Sequence, residues 1–300
     1  MSFFVAYSPV YVHPVPENHR FPMEKYSLLK DQLLYEGIIM QAELFDPQVI
    51  DAEFVLRVHS SDYYEKLIQL SCSLREQRVS GFVHSKELIE RELIIMEGTR
   101  KCAELVVDGG IAFNIAGGTH HAFSDRGEGF CLLNDQAIAS VWLLENTAVK
   151  RILIIDLDVH QGNGTAEIFQ DNPAVFTFSM HGQSNYPLQK EQSDLDVGLQ
   201  DYCDDETYLQ LLSDKLVDMQ HQFQPDFIFY QCGVDVLASD KLGKLGLTLA
   251  GCAKRDALVF AFANQLTVPI VCTMGGGYSP EIRSIIEAHT NTFRQAQKYF

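Results

Sequence analysis

The sequence of 300 residues is poor in positive charge and has no paired cysteines. It has 23 Lys and Arg against 40 Asp and Glu, which gives a formal net charge of −17. This balance argues against binding to a nucleic-acid backbone and favours a well-solvated surface that attracts cationic ligands. The seven cysteines are scattered singly, without a CxxC pair, which indicates reduced cysteines in an intracellular protein rather than a disulfide framework or a zinc ribbon.

Long hydrophobic runs and several short catalytic motifs are also missing. No apolar run approaches the ~20 residues of a membrane helix, and the opening residues MSFFVAYSP lack the basic leader of a secretory signal. We therefore expect a cytoplasmic protein that does not interact with membranes. The sequence has no GxSxG, GxxxxGK[ST] or GxGxxG motif, which argues against serine hydrolases and nucleotide-binding proteins.

Short apolar segments alternate with helical patterns along the chain. Six segments predict buried strands because they are rich in β-branched or aromatic residues and apolar on both faces: 3–7, 111–115, 152–156, 175–180, 226–232 and 269–273. Helical spacing covers residues 23–35, 61–71, 86–108, 134–145, 205–223 and 250–264, with a short helix after residue 156 and a last helix after residue 278. No linker interrupts the series, so we predict one α/β domain over residues 1–300, a parallel sheet with helices on both faces.

Polar side chains follow five of the predicted strands. In such a fold, ligands bind at the carboxyl ends of the strands. Each of these groups alone is weak evidence, because adjacent histidines are usually accidental and an aspartate after a strand usually caps a helix or a turn. Their convergence predicts a site composed of His120 and His121, Asp158 and His160, Ser179 and His181, Asp235, and Tyr278.

Asp158 and His160 are spaced as metal ligands. Residues i and i+2 of an extended segment point in the same direction, so both side chains reach one ion. Asp235, at a neighbouring strand end, would complete three ligands and leave coordination open for water and substrate, as in a catalytic zinc site. Asp156 lies deeper and better suits a partner of a histidine or a ligand of a buried monovalent cation.

A metal-polarised carbonyl also requires a base and a donor to the oxyanion. Either His120 or His121 can activate water, and the Tyr278 hydroxyl can donate a hydrogen bond to the developing charge. Together with a metal ion, these groups provide the parts of metal-assisted amide hydrolysis.

Five ordered motifs resemble those of the histone deacetylase superfamily: GGTHHAFSDRGEGFCLLND, DLDVHQGNGTAEIF, FSMHG, QCGVDVLASDKLG and GGGYS. The chain is most similar to the class IV branch and to related bacterial enzymes, and its opening HPVPENHRFPMEKY resembles the start of a class IV domain. The resemblance covers essentially the whole chain. It implies an arginase-like α/β fold with a mainly parallel eight-stranded sheet, and removal of acetyl or longer acyl groups from lysine with one zinc ion, or iron in the cell.

The resemblance also implies a role for each matching residue. His121 would be the general base and acid, His120 would be held by Asp156, and Tyr278 would stabilise the transition state. The zinc ligands would be Asp158, His160 and Asp235. Substrate-binding residues would be Gly129, Phe130, Tyr186, Leu247, Gly276 and, in a channel for acetate release, Arg20. A potassium site built mainly from backbone carbonyls would include Asp156, Asp158, His160, Ser179 and Met180.

One position departs from the class I pattern. Where class I has an aspartate beside the second histidine, this chain has Asn163, with Gln161 nearby. An amide does not stabilise an imidazolium as a carboxylate does. We therefore expect a lower pKa for His121 than in class I.

The same residues are compatible with other functions. Arginase-type enzymes bind two metals and need a further aspartate where this chain has Gly162 and a paired one where it has Gly233. A binding module would recognise acyl-lysine without cleaving it, which the full set of ligands, histidines and tyrosine argues against. Acetylpolyamines, other cationic acylated small molecules and small metabolic amides remain alternative substrates.

Small residues around the histidine pair raise the question of acyl-chain length. If they leave volume at the pocket floor, each additional buried CH₂ adds up to ~0.8 kcal/mol of binding, and the enzyme would prefer acyl groups longer than acetyl, as class IV members resembling it do. The alternative is that the glycines only form the turns of the histidine loop. The residues concerned are Gly117, Gly118, Thr119, Gly127 and Gly129.

Overall fold

Eight parallel strands form one sheet in the computed structural model, which describes residues 3–17 and 19–300. The strands are Phe4–Ala6 (β1), Leu44–Phe45 (β2), Ile111–Asn114 (β3), Ile152–Asp156 (β4), Val175–Gly182 (β5), Leu195–Leu199 (β6), Phe227–Gln231 (β7) and Ile270–Thr273 (β8). Their order across the sheet is β2-β1-β3-β8-β7-β4-β5-β6, and every pair is parallel. This confirms the predicted parallel α/β architecture.

The central strands are apolar on both faces because both faces are covered. Along β4, Leu153 and Ile155 pack into one hydrophobic cluster, whereas Ile152 and Ile154 pack into a second cluster on the opposite face. Successive side chains of a strand point to opposite faces, which explains this alternation. The continuous hydrophobic run ILIID therefore supplies core to both layers.

Sequence analysis missed β2 and β6, the two strands at the edges of the sheet. β2 has only two residues, and both are half-buried. In β6, Asp196 and Gly198 alternate with more buried positions, because an edge strand is partly exposed to solvent. A short or polar edge strand discourages pairing with another chain, and it also lacks the apolar run by which a strand is recognised.

Ten helices cover the sheet in the described ranges. They are Lys25–Tyr35 (α1), Ala52–Val55 (α2), Ser61–Ile68 (α3), Leu74–Ser80 (α4), Lys86–Val106 (α5), Asp135–Asn146 (α6), Asn163–Phe169 (α7), Asp205–Gln222 (α8), Leu249–Leu266 (α9) and Ile282–Ala296 (α10). The eight predicted helices are present, and the short α2 and α4 were missed. None of the helices described is both long and apolar enough to cross a membrane.

Candidate active site

The predicted site residues converge at the carboxyl ends of four adjacent central strands. His120 and His121 follow β3, Tyr278 follows β8, Asp235 follows β7, and Asp158 with His160 follows β4. Parallel strands end at the same edge of a sheet, so residues distant in sequence meet there.

Asp158, His160 and Asp235 form the candidate metal centre. All three are buried, and one ligand atom from each lies within 4.8 Å of the others. The Nδ1 atom of His160 lies 3.1 Å from Asp158 Oδ1 and 3.1 Å from Asp235 Oδ2. Backbone amides hold the carboxylates in place: Gly276 N donates to Asp158 Oδ2 at 2.8 Å, and Val159 N donates to Asp235 Oδ1 at 3.0 Å.

Glycines leave room for these carboxylates. A Cβ atom at Gly276 would lie 1.9 Å from Asp235 Oδ2, and one at Gly233 would lie 2.1 Å from Asp158 Oδ2. Two carboxylates and one imidazole are a donor set that suits Zn²⁺ and also other divalent transition metals such as Fe²⁺, and the carboxylates would neutralise the charge of a buried ion. The residues present therefore fit one divalent metal ion.

His120 and His121 have different partners and opposite pKa shifts. His120 Nδ1 lies 2.7 Å from Asp156 Oδ2. Burial disfavours its charged form, but the charges of Asp156 and Asp158 outweigh burial and raise the pKa of His120 to about 9. His121 has no such carboxylate partner: burial, followed by the charges of His120 and His160, holds its pKa well below the usual value.

Asn163 fixes the orientation of the His121 ring. His121 Nδ1 lies 2.6 Å from Asn163 Oδ1, an oxygen that only accepts hydrogen bonds. Nδ1 therefore carries the proton, and Nε2 of the neutral ring is free to accept one. A neutral imidazole with a free Nε2 is suited to act as a general base.

We expect Asn163→Asp to move the acidic limb of the kcat/KM profile to higher pH. A carboxylate at this position would stabilise the imidazolium and raise the pKa of His121. Because a base works only when unprotonated, activity would then begin to fall at a higher pH as the solution is acidified. The measurement is kcat/KM between pH 5 and pH 9, with Asn172→Asp, in the turn between α7 and β5, as a control. An acidic limb that does not move would show that His121 is not the titrating base.

Aromatic rings line the approach to the metal centre. The Tyr186 ring lies edge-on to His121, with centroids 5.0 Å apart, and the Phe130 ring lies 6.0 Å from that of Tyr278. Tyr278 in turn lies 6.4 Å from His160. At Gly129 a Cβ would lie 2.6 Å from His121 Cδ2, so the backbone approaches the His121 ring closely at this point. These positions agree with a narrow passage for an extended side chain.

A hydrogen-bonded group that the sequence did not reveal connects the two walls of this passage. Tyr186 Oη donates to Glu128 Oε2 at 2.5 Å, and Arg126 Nε donates to Glu128 Oε1 at 2.8 Å. Glu128 therefore links the loop that carries Gly129 to the loop that carries Tyr186. In the sequence, Glu128 is only a charged residue between two glycines of the GEGF segment, and nothing in that pattern indicates that it links two loops.

Two predicted substrate residues are not where the resemblance suggested. Leu247 is 1% exposed and packs in the hydrophobic core instead of forming the rim. Leu242, in the preceding turn, is half-buried and lines an outer cleft with Phe21 and Tyr278. The motif DKLGKLGL contains three leucines, and spacing alone did not show which of them faces the cleft.

Arg20 is likewise exposed and lines the outer cleft rather than an internal channel. The arginine at the internal cavity is Arg91 of α5, which donates to the backbone oxygen of Tyr11 at 2.8 Å. Helical periodicity shows that position 91 is on a helix, but it does not show that the helix passes beside the site.

The residues predicted to hold potassium come from β4, the loop that follows it, and β5. Asp156 in β4 pairs in register with Ser179 in β5. All five proposed residues are buried, and Asp158 N donates to Asp156 Oδ1 at 3.1 Å. The backbone segments that would supply the carbonyls are thus neighbours.

Asp135 is a further residue that sequence reasoning missed. Its buried carboxylate accepts from the backbone amides of Gly118 and Thr119 at 2.8–3.0 Å, and from the hydroxyls of Thr99 and Thr119. It therefore fixes the turn that leads into His120. The residue lies in the LLND end of the first motif, but no spacing rule assigned it a partner.

The chain is similar to known proteins over nearly its full length. A family model described as the histone deacetylase domain matches residues 19–293. An uncharacterized protein of Picosynechococcus sp. is 44% identical over the full length of both chains. Histone deacetylase 2 of Arabidopsis thaliana is 29% identical over 92% of this chain and 74% of its own length. The crystal structure of a histone deacetylase homolog from Aquifex aeolicus superposes with a TM-score of 0.85, at 24% identity, over 100% of this chain and 85% of the other.

The fold and the position of the site define an α/β protein of the arginase/deacetylase type. The chain belongs to the histone deacetylase family. Membership supports a deacetylase-type amidohydrolase activity, and the Asp158–His160–Asp235 cluster agrees with the metal dependence of the family.

Proposed function

We propose that this protein removes acetyl groups from the ε-amino group of lysine with one divalent metal ion, zinc or, in the cell, iron. The observation that carries the proposal is the buried cluster of Asp158, His160 and Asp235 beside His121 and Tyr278. We also propose that residues 1–300 act as a single catalytic domain, and that Asp156, Asp158, His160, Ser179 and Met180 hold a potassium ion beneath the site.

The side chains would divide the reaction between them. The metal, when bound, would supply Lewis-acid activation of the scissile carbonyl and of water. His121 Nε2 would take the proton from water and deliver it to the leaving amine, while Asn163 holds the ring in the required tautomer. Burial, together with the charges of Asp235 and Asp158, keeps the pKa of Tyr278 well above its usual value, so its hydroxyl retains the proton that it donates to the oxyanion.

The small volume at the metal centre favours an acetyl group over longer acyl chains. The cavity at the metal centre holds about 30 Å³, and a single water requires about 10–15 Å³ on the same measure. Neighbouring atoms occupy the space beside the glycines: a Cβ at Gly118 would lie 2.2 Å from Gln231 Oε1, and one at Gly127 would lie 2.7 Å from the Tyr63 hydroxyl. These contacts support the alternative in which the glycines only form tight turns and the site accommodates an acetyl methyl group.

We expect kcat/KM to fall as the acyl chain lengthens, because each added methylene must displace packed side chains. The measurement compares acetyl-, butyryl-, octanoyl- and myristoyl-lysine in one peptide, below the micelle threshold of the longest. The drop from acetyl to octanoyl should be at least tenfold. A steady rise with chain length would contradict the proposal and would show that the site opens for fatty acyl groups.

An acetylpolyamine is the alternative substrate, and the environment of Glu128 argues against it. A polyamine carries further ammonium groups that an unpaired carboxylate at the mouth would bind. Glu128 is instead paired with Arg126 and hydrogen-bonded to Tyr186, so its charge is already compensated. The same assay with N-acetylputrescine and N-acetylspermidine separates the two substrate classes. A binding module without catalysis would hydrolyse neither substrate.

All seven cysteines are free, and six of them are buried. Free buried thiols agree with a reducing compartment, and we therefore propose a cytoplasmic location. The net charge of −17 would favour basic acylated peptides over acidic ones.

A further inference from the structure

Lys25, the first residue of α1, is buried without a carboxylate partner. Its residue surface is 2% exposed. Among residues 3–17 and 19–300, no Asp or Glu oxygen lies within 4 Å of its amine. Nζ donates a hydrogen bond to the backbone oxygen of Gly275 at 2.8 Å. Burying an ammonium is costly unless it is compensated, so this position requires a reason.

Aromatic faces surround the amine. Nζ lies 4.8 Å from the centroid of Phe21, 5.4 Å from that of Tyr26 and 5.7 Å from that of Tyr278. These distances are within the range at which the negative face of a ring attracts a cation. Burial lowers the pKa of Lys25 to about 8, partly opposed by the charges of Asp235 and Asp158. The Gly275 carbonyl and the three aromatic faces are partners that favour the charged form of the amine.

The partner of Lys25 begins the turn that completes the active site. Gly275 has a φ of +62°, a left-handed conformation in which glycine is favoured. The next residue, Gly276, donates its backbone N–H to the metal ligand Asp158. Two residues further on is Tyr278, whose backbone N donates to Asp240 Oδ2 at 2.6 Å. Lys25 thus touches this turn twice, at the Gly275 carbonyl and at the ring of Tyr278.

We propose that Lys25 is a positioning residue for Tyr278. Its hydrogen bond fixes the start of the turn, and its charge over the ring draws electron density from the phenol, so that the hydroxyl donates more strongly as the oxyanion develops. The inference rests on the proposed amide hydrolysis, in which Tyr278 is the donor. A charged amine on α1 would thus assist the reaction step that Tyr278 performs after the end of β8.

Three variants separate the contributions of Lys25. Lys25→Met keeps an unbranched chain, one bond shorter than lysine, and removes both the charge and the donor. Lys25→Gln keeps a donor, one bond shorter, and removes the charge. Lys25→Arg keeps both. Lys30→Met is the matched control, because Lys30 is on the same helix and its amine lies 5.3 Å from the ring of Tyr7, a residue without a role in the site.

We expect Lys25→Met to lower kcat by about 10- to 100-fold and to change KM by less than threefold, because the effect of an oxyanion donor is realised in the transition state. Lys25→Gln should fall between Lys25→Met and wild type. Lys25→Arg should recover most of the rate, and Lys30→Met should match wild type. A kcat of Lys25→Met within threefold of wild type, with unchanged metal content, would overturn the proposal.

A double-mutant cycle tests whether Lys25 acts through the tyrosine. In a Tyr278→Phe background, Lys25→Met should lower kcat by less than threefold further, because the hydroxyl that it assists is absent. If the two losses multiply, Lys25 acts independently of Tyr278 and the proposal fails. Hydrogen exchange over residues 274–282 gives a readout without turnover: it should be faster in Lys25→Met and unchanged in Lys25→Arg.

Hydrogen exchange also separates the positioning role of Lys25 from the proposed hydrolytic function. If wild type hydrolyses none of the substrates, the proposed function fails, whereas faster exchange in Lys25→Met alone would still show that Lys25 holds the turn. If Lys25→Met does not fold, the same comparison is made with Lys25→Gln. Equal exchange in the folded variant and in wild type would overturn the positioning role.

Discussion

Asp235→Asn is expected to retain less than one-tenth of the metal bound by the wild-type protein and to lose detectable hydrolysis. Asparagine keeps the size of the side chain and an oxygen that can accept from Val159 N, so the packing is preserved. It removes one of the two negative charges that balance a divalent ion in a buried site. Loss of that charge and of a carboxylate ligand at a three-residue centre should weaken binding by orders of magnitude.

Elemental analysis after dialysis, with thermal unfolding in parallel, measures this effect. Wild type should hold about one equivalent of metal, and its unfolding temperature should fall on chelation because the ion binds only the folded state. Asp218→Asn, at an exposed position of α8, should behave as wild type. Two tightly bound manganese ions per chain would contradict the proposed single-metal centre and revive the arginase-type alternative. The Gly162 position argues against that outcome. An arginase-type site needs an aspartate there, and no side chain fits because a Cβ would lie 2.3 Å from Asp156 Oδ2.

Tyr278→Phe is expected to lower kcat by ~10²–10³, the usual cost of removing one donor to an oxyanion, with a much smaller change in KM. The ring itself should remain in place, because it packs between Phe21 and Phe130 at centroid distances of 6.0 Å. Steady-state kinetics on an acetyl-lysine peptide gives both constants. Tyr202→Phe, at a residue that is 82% exposed, is the control. Activity within a few-fold of wild type would show that Tyr278 only lines the passage.

The sequence predicted the central architecture because the buried strands have a distinct composition. ILIID and FIFYQ are apolar on both faces, and a polar group follows each at the end that faces the site. The spacing of Asp158 and His160 was sufficient to predict that their side chains point to the same place, and their ligand atoms do lie within 4.8 Å of each other. The edge strands β2 and β6 were missed for the opposite reason, since partial exposure leaves them without an apolar run.

Residues that act across the fold were not predictable from local pattern. Lys25 and Gly275 are 250 positions apart in sequence, and no spacing rule relates a lysine at a helix start to a turn after the last strand. In the sequence, Arg91 is one of several charged residues on α5, and Leu242 is one of three leucines in its motif, so local pattern did not distinguish either from its neighbours. Motif resemblance identified Asp158 or Tyr278 by identity and order, but it did not say which nearby side chain of a given type faces the site.

The position of β8 has a consequence for how the protein is made. This strand is the last in the sequence, yet it lies between β3 and β7, with Ile270 in register with both Ile111 and Ile228. During synthesis, β3 and β7 are complete before the strand that joins them emerges from the ribosome, and until then each has an unpaired apolar edge of the kind that promotes aggregation. The same strand delivers Gly276 and Tyr278. A nascent chain would therefore remain inactive and in need of protection until β8 inserts, and the two halves of the sheet would close at the moment when catalysis becomes possible.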